Sequence, residues 1–268
     1  MTAMKKNKIM RKTLTLIFAA VAGFMSAQDF HTASSFHAAA ARQAVAADSS
    51  HVYAISNRRI VKYSLQGDSV AGWTDSGSSP LTHLNSGVVK DGRLYCAHSN
   101  YPSLPMASSV EVFDTTTMQH VSSISLGIGY GSLTWVLPCG DGGWYAFFAY
   151  YDKEGARMEG RGVEWSQLVR FDSCRRAMRA WVLPEALVAK VSPNSLSGAV
   201  MQGGRFYCTG HDAGEVYVLS VPRKGSALLW EQTIAVPFAG QGIAADADGC
   251  LWGIVRKDRL VVRAVRTK

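Results

Sequence analysis

Short apolar runs alternate with glycine-bearing polar turns along most of this chain, and one such unit is written twice. Residues 86–100 read SGVVKDGRLYCAHSN and residues 197–212 read SGAVMQGGRFYCTGHD. Each copy opens with Ser-Gly, runs as an apolar strand into a glycine turn, and leaves as a second strand, Arg-(Leu/Phe)-Tyr-Cys, that ends near a histidine. Residues 43–58, 132–151 and 241–257 carry the same hydrophobic signature with less identity. Aligning Ala44, Gly87, Thr134, Gly198 and Gly242 gives spacings of 43, 47, 64 and 44 residues. A period of roughly 40–50 residues with several strands per unit predicts propeller blades.

The expected fold is therefore all-β, a single five-bladed β-propeller over residues 29–268 with blades at about 43–75, 84–126, 132–183, 195–235 and 241–268. Blade one divides into strands near 43–47, 51–56, 59–65 and 69–74, the third of which, RIVKYS, alternates as a half-buried strand should. Third strands recur at 110–114, 168–172 and 216–219, and fourth strands at 120–125, 179–183 and 228–234. No stretch holds a helical period, although residues 184–190 have room for a turn or two. The long spacing of 64 comes from an insertion at residues 152–166. From Gly242 only 27 residues remain, enough for three strands near 243–246, 251–256 and 259–266. Residues 29–41 are placed to supply the missing outer strand, which closes the ring with both ends of the chain and removes open edges.

Composition adds a leader. Lys5, Lys6, Lys8, Arg11 and Lys12 precede an apolar run at residues 14–25 and then Ser26-Ala27-Gln28, the three parts of a secretory signal over residues 1–28. The run is short for a membrane span. Its removal lowers the formal net charge from +8 to +3, so the basic balance gives no case for a nucleic-acid partner. The expectation is a secreted or periplasmic monomer with no membrane attachment after cleavage. Five cysteines give no disulfide framework. Cys96 and Cys208 share one repeat position inside apolar strands and read as small buried hydrophobes, whereas Cys139 and Cys174 fall in one unit and leave a pairing open.

Candidate chemistry follows from blade geometry. The innermost strand of a blade starts, and the second strand ends, on the same face of the disc. Gln43, His83, Asn85 and Gln241 come from strand starts, and Arg58, His98, Asn100, Tyr150, Tyr151, His211, Asp212 and Arg256 from second-strand ends. The insertion adds Arg161, Glu164 and Trp165 to the same side. The opposite face receives turns of the type Lys90-Asp-Gly and Asp246-Ala-Asp-Gly, which are turn chemistry alone. The polar mouth is thus the default site. His98, His211 and Tyr150 are the candidates for proton transfer. Gln43, Arg58, Asn85, Asn100, Tyr151, Arg161, Glu164, Asp212, Gln241 and Arg256 are candidates for holding a ligand. His83, His98 and His211 could hold a divalent metal, since two or three imidazoles with an open position suit zinc or a similar ion. Each also has a structural reading: a polar residue at a strand start often satisfies backbone groups of the next blade, and the arginines could simply be solvated. The sequence carries no HExxH, GxSxG, P-loop or CxxC signature.

Residues 83–87 (HLNSG), 98–102 (HSNYP), 162–166 (GVEWS), 207–212 (YCTGHD) and 240–244 (GQGIA) together resemble a group of exported bacterial propeller proteins designated cycloisomerases, over about residues 40–260. The resemblance implies the plan of muconate-lactonising and lactonase-type propellers, a His- and Arg-lined axial mouth acting on a carboxylate-bearing substrate. Plant-type glutaminyl cyclases, also five-bladed, share only a Gln ahead of an inner strand. Two functions are expected from these residues. One is a lyase or cycloisomerase for a small anionic or sugar-derived ligand. The other is a non-catalytic module that captures a glycan or peptide, with a structural envelope propeller as a third class.

Overall fold

The computed structural model describes residues 30–77 and 79–267; the expected leader lies outside them. After β1 (Phe30–His37), four consecutive meanders follow. Blade 1 is β2 (Ala44–Ala47), β3 (His51–Ser56), β4 (Arg59–Ser64) and β5 (Ser69–Thr74). Blade 2 is β6 (His83–Lys90), β7 (Arg93–Ser99), β8 (Ser108–Asp114) and β9 (His120–Gly127). Blade 3 is β10 (Ser132–Pro138), β11 (Trp144–Ala149), β12 (Gln167–Phe171) and β13 (Ala177–Val182). A short helix, α1 (Glu185–Val191), leads to blade 4, which is β14 (Gly198–Gln202), β15 (Arg205–Thr209), β16 (Glu215–Ser220) and β17 (Leu229–Ala235). The last blade is β18 (Ala244–Ala245), β19 (Leu251–Val255) and β20 (Leu260–Arg266), completed on its outside by β1. Phe30 pairs with Arg266 and His37 with Leu260. This is a five-bladed β-propeller whose final blade draws on both ends of the chain.

Strand position explains the hydrophobic pattern. The inner strands are covered on both faces by neighbouring blades, so β3 and β4 are buried along their interiors. The outer strands meet solvent on one face, and β9 is exposed at most of its positions. The core facing blade 4 is aromatic: within blade 3 Trp135 stacks on Phe147 with centroids 5.4 Å apart, and across the blades Tyr145 meets Phe206 edge-on at 4.9 Å. Such ring pairs contribute about 0.5–1.5 kcal/mol beyond their buried area.

The aligned small residues form the waist around the axis. A Cβ added to Gly198 would lie 2.5 Å from Gly242 Cα, and one added to Gly242 would lie 2.5 Å from Ala44 Cβ and 2.6 Å from Ser86 Cβ. Five inner strands converge there, so the repeat keeps small side chains where backbones must meet. A parallel bridge between Ala44 and Gly242 joins the first and last blades. β18 is shorter than the sequence predicts, and ahead of it Gln241, at φ 65°, gives its N–H to the Gly210 carbonyl while Gly242 gives its N–H to the Gln43 carbonyl of blade 1. The five cysteines are free thiols, Cys139 and Cys174 included, and Cys96 and Cys208 are fully buried. Among the described residues no helix is long and apolar enough to cross a membrane.

Candidate functional site

The starts of the inner strands and the ends of the second strands surround a cavity of about 340 Å³ on the axis, above the glycine waist. Gln43, His83, Asn85 and Gln241 reach it from strand starts, with Asn194, Ser197 and Thr134. Asn57, Tyr151, His211 and Arg256 reach it from second-strand ends. Two loops complete the wall: Tyr101 and Pro102 follow β7, and Lys153 comes from the insertion. The lining contains the basic side chains Arg256 and Lys153 and no carboxylate.

Hydrogen bonds hold the wall in place. Gln43 Nε2 donates to Asn57 Oδ1 at 2.7 Å, and Asn85 Nδ2 donates to the Leu133 carbonyl of the next blade at 2.7 Å. Gln241 Nε2 donates to the His211 carbonyl at 2.9 Å, tying blade 5 to blade 4. Tyr101 stands between His83 and Tyr151, with ring centroids at 5.1 and 5.0 Å, so one side of the cavity is an aromatic wall. The Tyr151 hydroxyl donates to Ser132 Oγ at 3.2 Å, and burial pushes its pKa up. Burial, helped by the charges of His98, Arg256 and His211, pushes the His83 imidazole down to about 4 against an opposing hydrogen bond with Asn85. His83 is therefore neutral near pH 7.

His211, which lines the cavity, is held from two sides. Arg256 Nη1 donates toward its Nε2 at 3.4 Å, which marks Nε2 as the lone-pair nitrogen, and Nδ1 lies 2.6 Å from Asp212 Oδ2. The carboxylate orients the ring and leaves Nε2 facing the cavity and the guanidinium.

Several expected residues are placed elsewhere. His98 is 7% exposed and lies inside blade 2, where its Nε2 accepts the Thr82 N–H at 3.1 Å and its Nδ1 meets Ser109 Oγ at 2.9 Å. Both nitrogens are engaged inside the blade, and His98, unlike His211, does not line the cavity. Among the described residues no three His, Cys, Asp or Glu side chains are grouped to hold a metal ion, and the expected set of His83, His98 and His211 does not converge. Tyr150 is buried and its hydroxyl accepts from Arg161 Nη1 at 3.0 Å; it does not line the cavity, whereas Tyr151 does. Arg161 stacks over Trp165 at 4.8 Å and over Tyr150 at 5.8 Å, and Glu164 accepts the Gly162 N–H at 3.1 Å. These two brace the insertion and do not line the cavity. Asn100 spends its amide on its own loop, donating to the Pro105 carbonyl and accepting the Ala107 N–H. Arg58 lies 3.5 Å from the buried Asp75 carboxylate, at the rim of blade 1. Asp212 is exposed and reaches the site only through His211.

Sequence reasoning missed Thr82, Tyr101, Pro102, Thr134 and Lys153. The Pro-rich run after Asn100 was the available signal for the first loop, since two prolines within five residues stiffen a connection that sits beside the mouth.

Fold and site together define a five-bladed propeller with a polar, cationic axial cavity. No protein-family model and no curated protein sequence matches the chain, so the likeness to the cycloisomerase-designated group has no family-level support. Solved structures do match. The glutaminyl cyclase of Myxococcus xanthus superposes with a TM-score of 0.56 at 12% identity, covering 88% of this chain and 95% of that one. A GH43_1 enzyme from Xanthomonas citri gives 0.54 at 11% identity, covering 84% and 86%. A streptogramin B lyase gives 0.52 at 8% identity, covering 89% and 98%. At these identities the likeness is one of fold.

Proposed function

We propose that the axial cavity takes a small carboxylate-bearing ligand and that the protein acts on it as a lyase or intramolecular cycloisomerase. The observation that carries this reading is a lining with Arg256, Lys153, His83 and His211 and no acidic side chain. Arg256 would receive the carboxylate through charge-assisted hydrogen bonds. His211 Nε2, beside that guanidinium, would take the proton from the carbon next to a ring C–O bond. The C–O bond breaks, a double bond forms, and the released carboxylate carries the electron pair. Run backwards, the carboxylate adds to the double bond and the imidazolium returns the proton. Asp212 supports the imidazolium, and general acid–base transfer of this kind is worth about 10²–10⁴ in rate. A cyclase and a lyase among propellers of similar fold support this class by analogy. The Tyr101–Tyr151 wall beside Gln43, Asn57 and Asn85 favours a second reading, capture of a sugar ring without turnover. Export and a monomeric state belong to the same proposal and are read by N-terminal sequencing of secreted protein and by sedimentation.

The test is a turnover and titration screen with muconate, muconolactone and unsaturated uronates. For whichever compound the wild type accepts, Arg256→Ala is expected to weaken binding by about tenfold to a hundredfold. His211→Ala should abolish product while binding persists. Binding without product in the wild type selects the sugar-capture reading. Anion binding that neither substitution alters removes the cavity as the site.

A further inference from the structure

Blade 2 holds a second polar cluster that the proposed chemistry does not use. Glu111, on β8, is 1% exposed. Its Oε1 accepts from Ser109 Oγ at 2.5 Å, and its Oε2 accepts from Ser123 Oγ at 2.5 Å and from His120 Nε2 at 2.7 Å. Burial alone would raise its pKa, but the hydrogen bonds from Ser109, Ser123 and His120 hold the carboxyl below its usual range. It is a buried anion fully supplied with donors.

Hydrogen-bond direction links this anion to the cavity. A backbone N–H can only donate, so Thr82 N, 3.1 Å from His98 Nε2, fixes that nitrogen as an acceptor. The proton of the neutral ring then sits on Nδ1 and is given to Ser109 Oγ at 2.9 Å. Ser109, having accepted, passes its own hydrogen to Glu111. Every donor therefore points the same way, from Thr82 on the cavity wall through His98 and Ser109 to the carboxylate. Thr82 precedes His83, and both line the cavity. Removing the final acceptor would leave Ser109 free to donate to His98 instead, which reverses the tautomer and turns Nε2 into a donor facing the Thr82 N–H.

The geometry points to Glu111 as a positioning residue for the axial cavity: through Ser109 and His98 it fixes the Thr82 backbone and with it the His83 side chain. This rests on the cavity being the working site, but the readouts need no ligand. The test uses isotope-labelled full-length protein, following the His83 ring by NMR across pH and the exchange rate of the Thr82 amide. In Ser109→Ala and Glu111→Ala, Thr82 exchange is expected to rise about tenfold or more, the effect of one lost hydrogen bond. The His83 titration midpoint should move up by about one pH unit or more as the wall loosens and water enters. Amides of β3 in blade 1 should not change. Glu111→Gln keeps an acceptor oxygen for Ser109 and an amide for His120, and should restore both signals. If Glu111→Ala does not fold, Ser109→Ala carries the test, since it removes a single hydroxyl. Unchanged Thr82 and His83 signals in a folded Ser109→Ala protein overturn the assignment. So does a loss that spreads to β3 and is not restored by glutamine, because that is general destabilisation. Failure of every anion to bind the wild type would sink the proposed function and leave these two signals to decide the positioning role alone.

Discussion

His98 and His211 close the two most similar repeats, yet they have opposite fates. Cys96 and Cys208 are both fully buried at the same repeat position. His98 follows its cysteine by two residues and is still within β7, so alternation puts it on the same covered face. His211 follows by three and lies beyond the end of β15, where the chain has left the ladder. One residue of spacing separates a histidine locked inside a blade from one whose side chain is 34% exposed at the cavity. A repeated histidine is therefore no guide to a repeated role until its distance from the strand end is known.

The contrast is broken most severely at His98. His98→Ala should destabilise the fold by about 2–4 kcal/mol, because it opens a void and strands the Thr82 N–H. His211→Ala should change stability by less than about 0.5 kcal/mol. Denaturant unfolding of both variants reads the difference, and equal losses would mean that His98 is not a packing residue. The next effect concerns His83, which shares features of both: it lines the cavity, yet burial holds it down to about 4. The unfolded chain takes up this proton near pH 6.5, before the folded protein does. Stability should thus fall as pH drops from about 6.5 toward about 4, by up to about 1.4 kcal/mol per unit for this group. His98, also depressed chiefly by burial, adds to the same slope. His83→Asn should flatten the slope in urea titrations across that range, and an unaltered slope would place the acid sensitivity elsewhere. The smallest effect is at Asp212. Since its side chain is 75% exposed, Asp212→Asn should lower turnover by no more than about threefold, water substituting for much of its support. A loss as large as that of His211→Ala would promote Asp212 to an essential partner.

The ring of blades was legible because its cause is local. Small residues recur where inner strands meet, and Gly198 and Gly242 are so placed that any side chain would strike a neighbouring backbone or Cβ. The need for an outer strand followed from the few residues after Gly242, and β1 supplies it. The rule of strand starts and ends also located Gln43, His83, Asn85, Tyr151, His211, Gln241 and Arg256 around one cavity. It did not separate them from His98, Tyr150 and Asn100. His98 is decided by strand parity, and all three by hydrogen bonds to partners such as Ser109, Arg161 and Ala107, which a linear reading cannot pair. Arg58 and Arg256 look alike in sequence, and only the fold puts Asp75 beside one and the cavity beside the other.

The pairing of Phe30–His37 with Leu260–Arg266 has a consequence for how the molecule is made. Strand β1 is made before every other strand of the ring and must stay unmatched, with a bare edge, until its partner β20, the last of them, has been synthesised. Ring closure is thus deferred until all five blades have been translated. Once latched, the same sheet would keep two pieces of a chain nicked in an exposed interblade loop together.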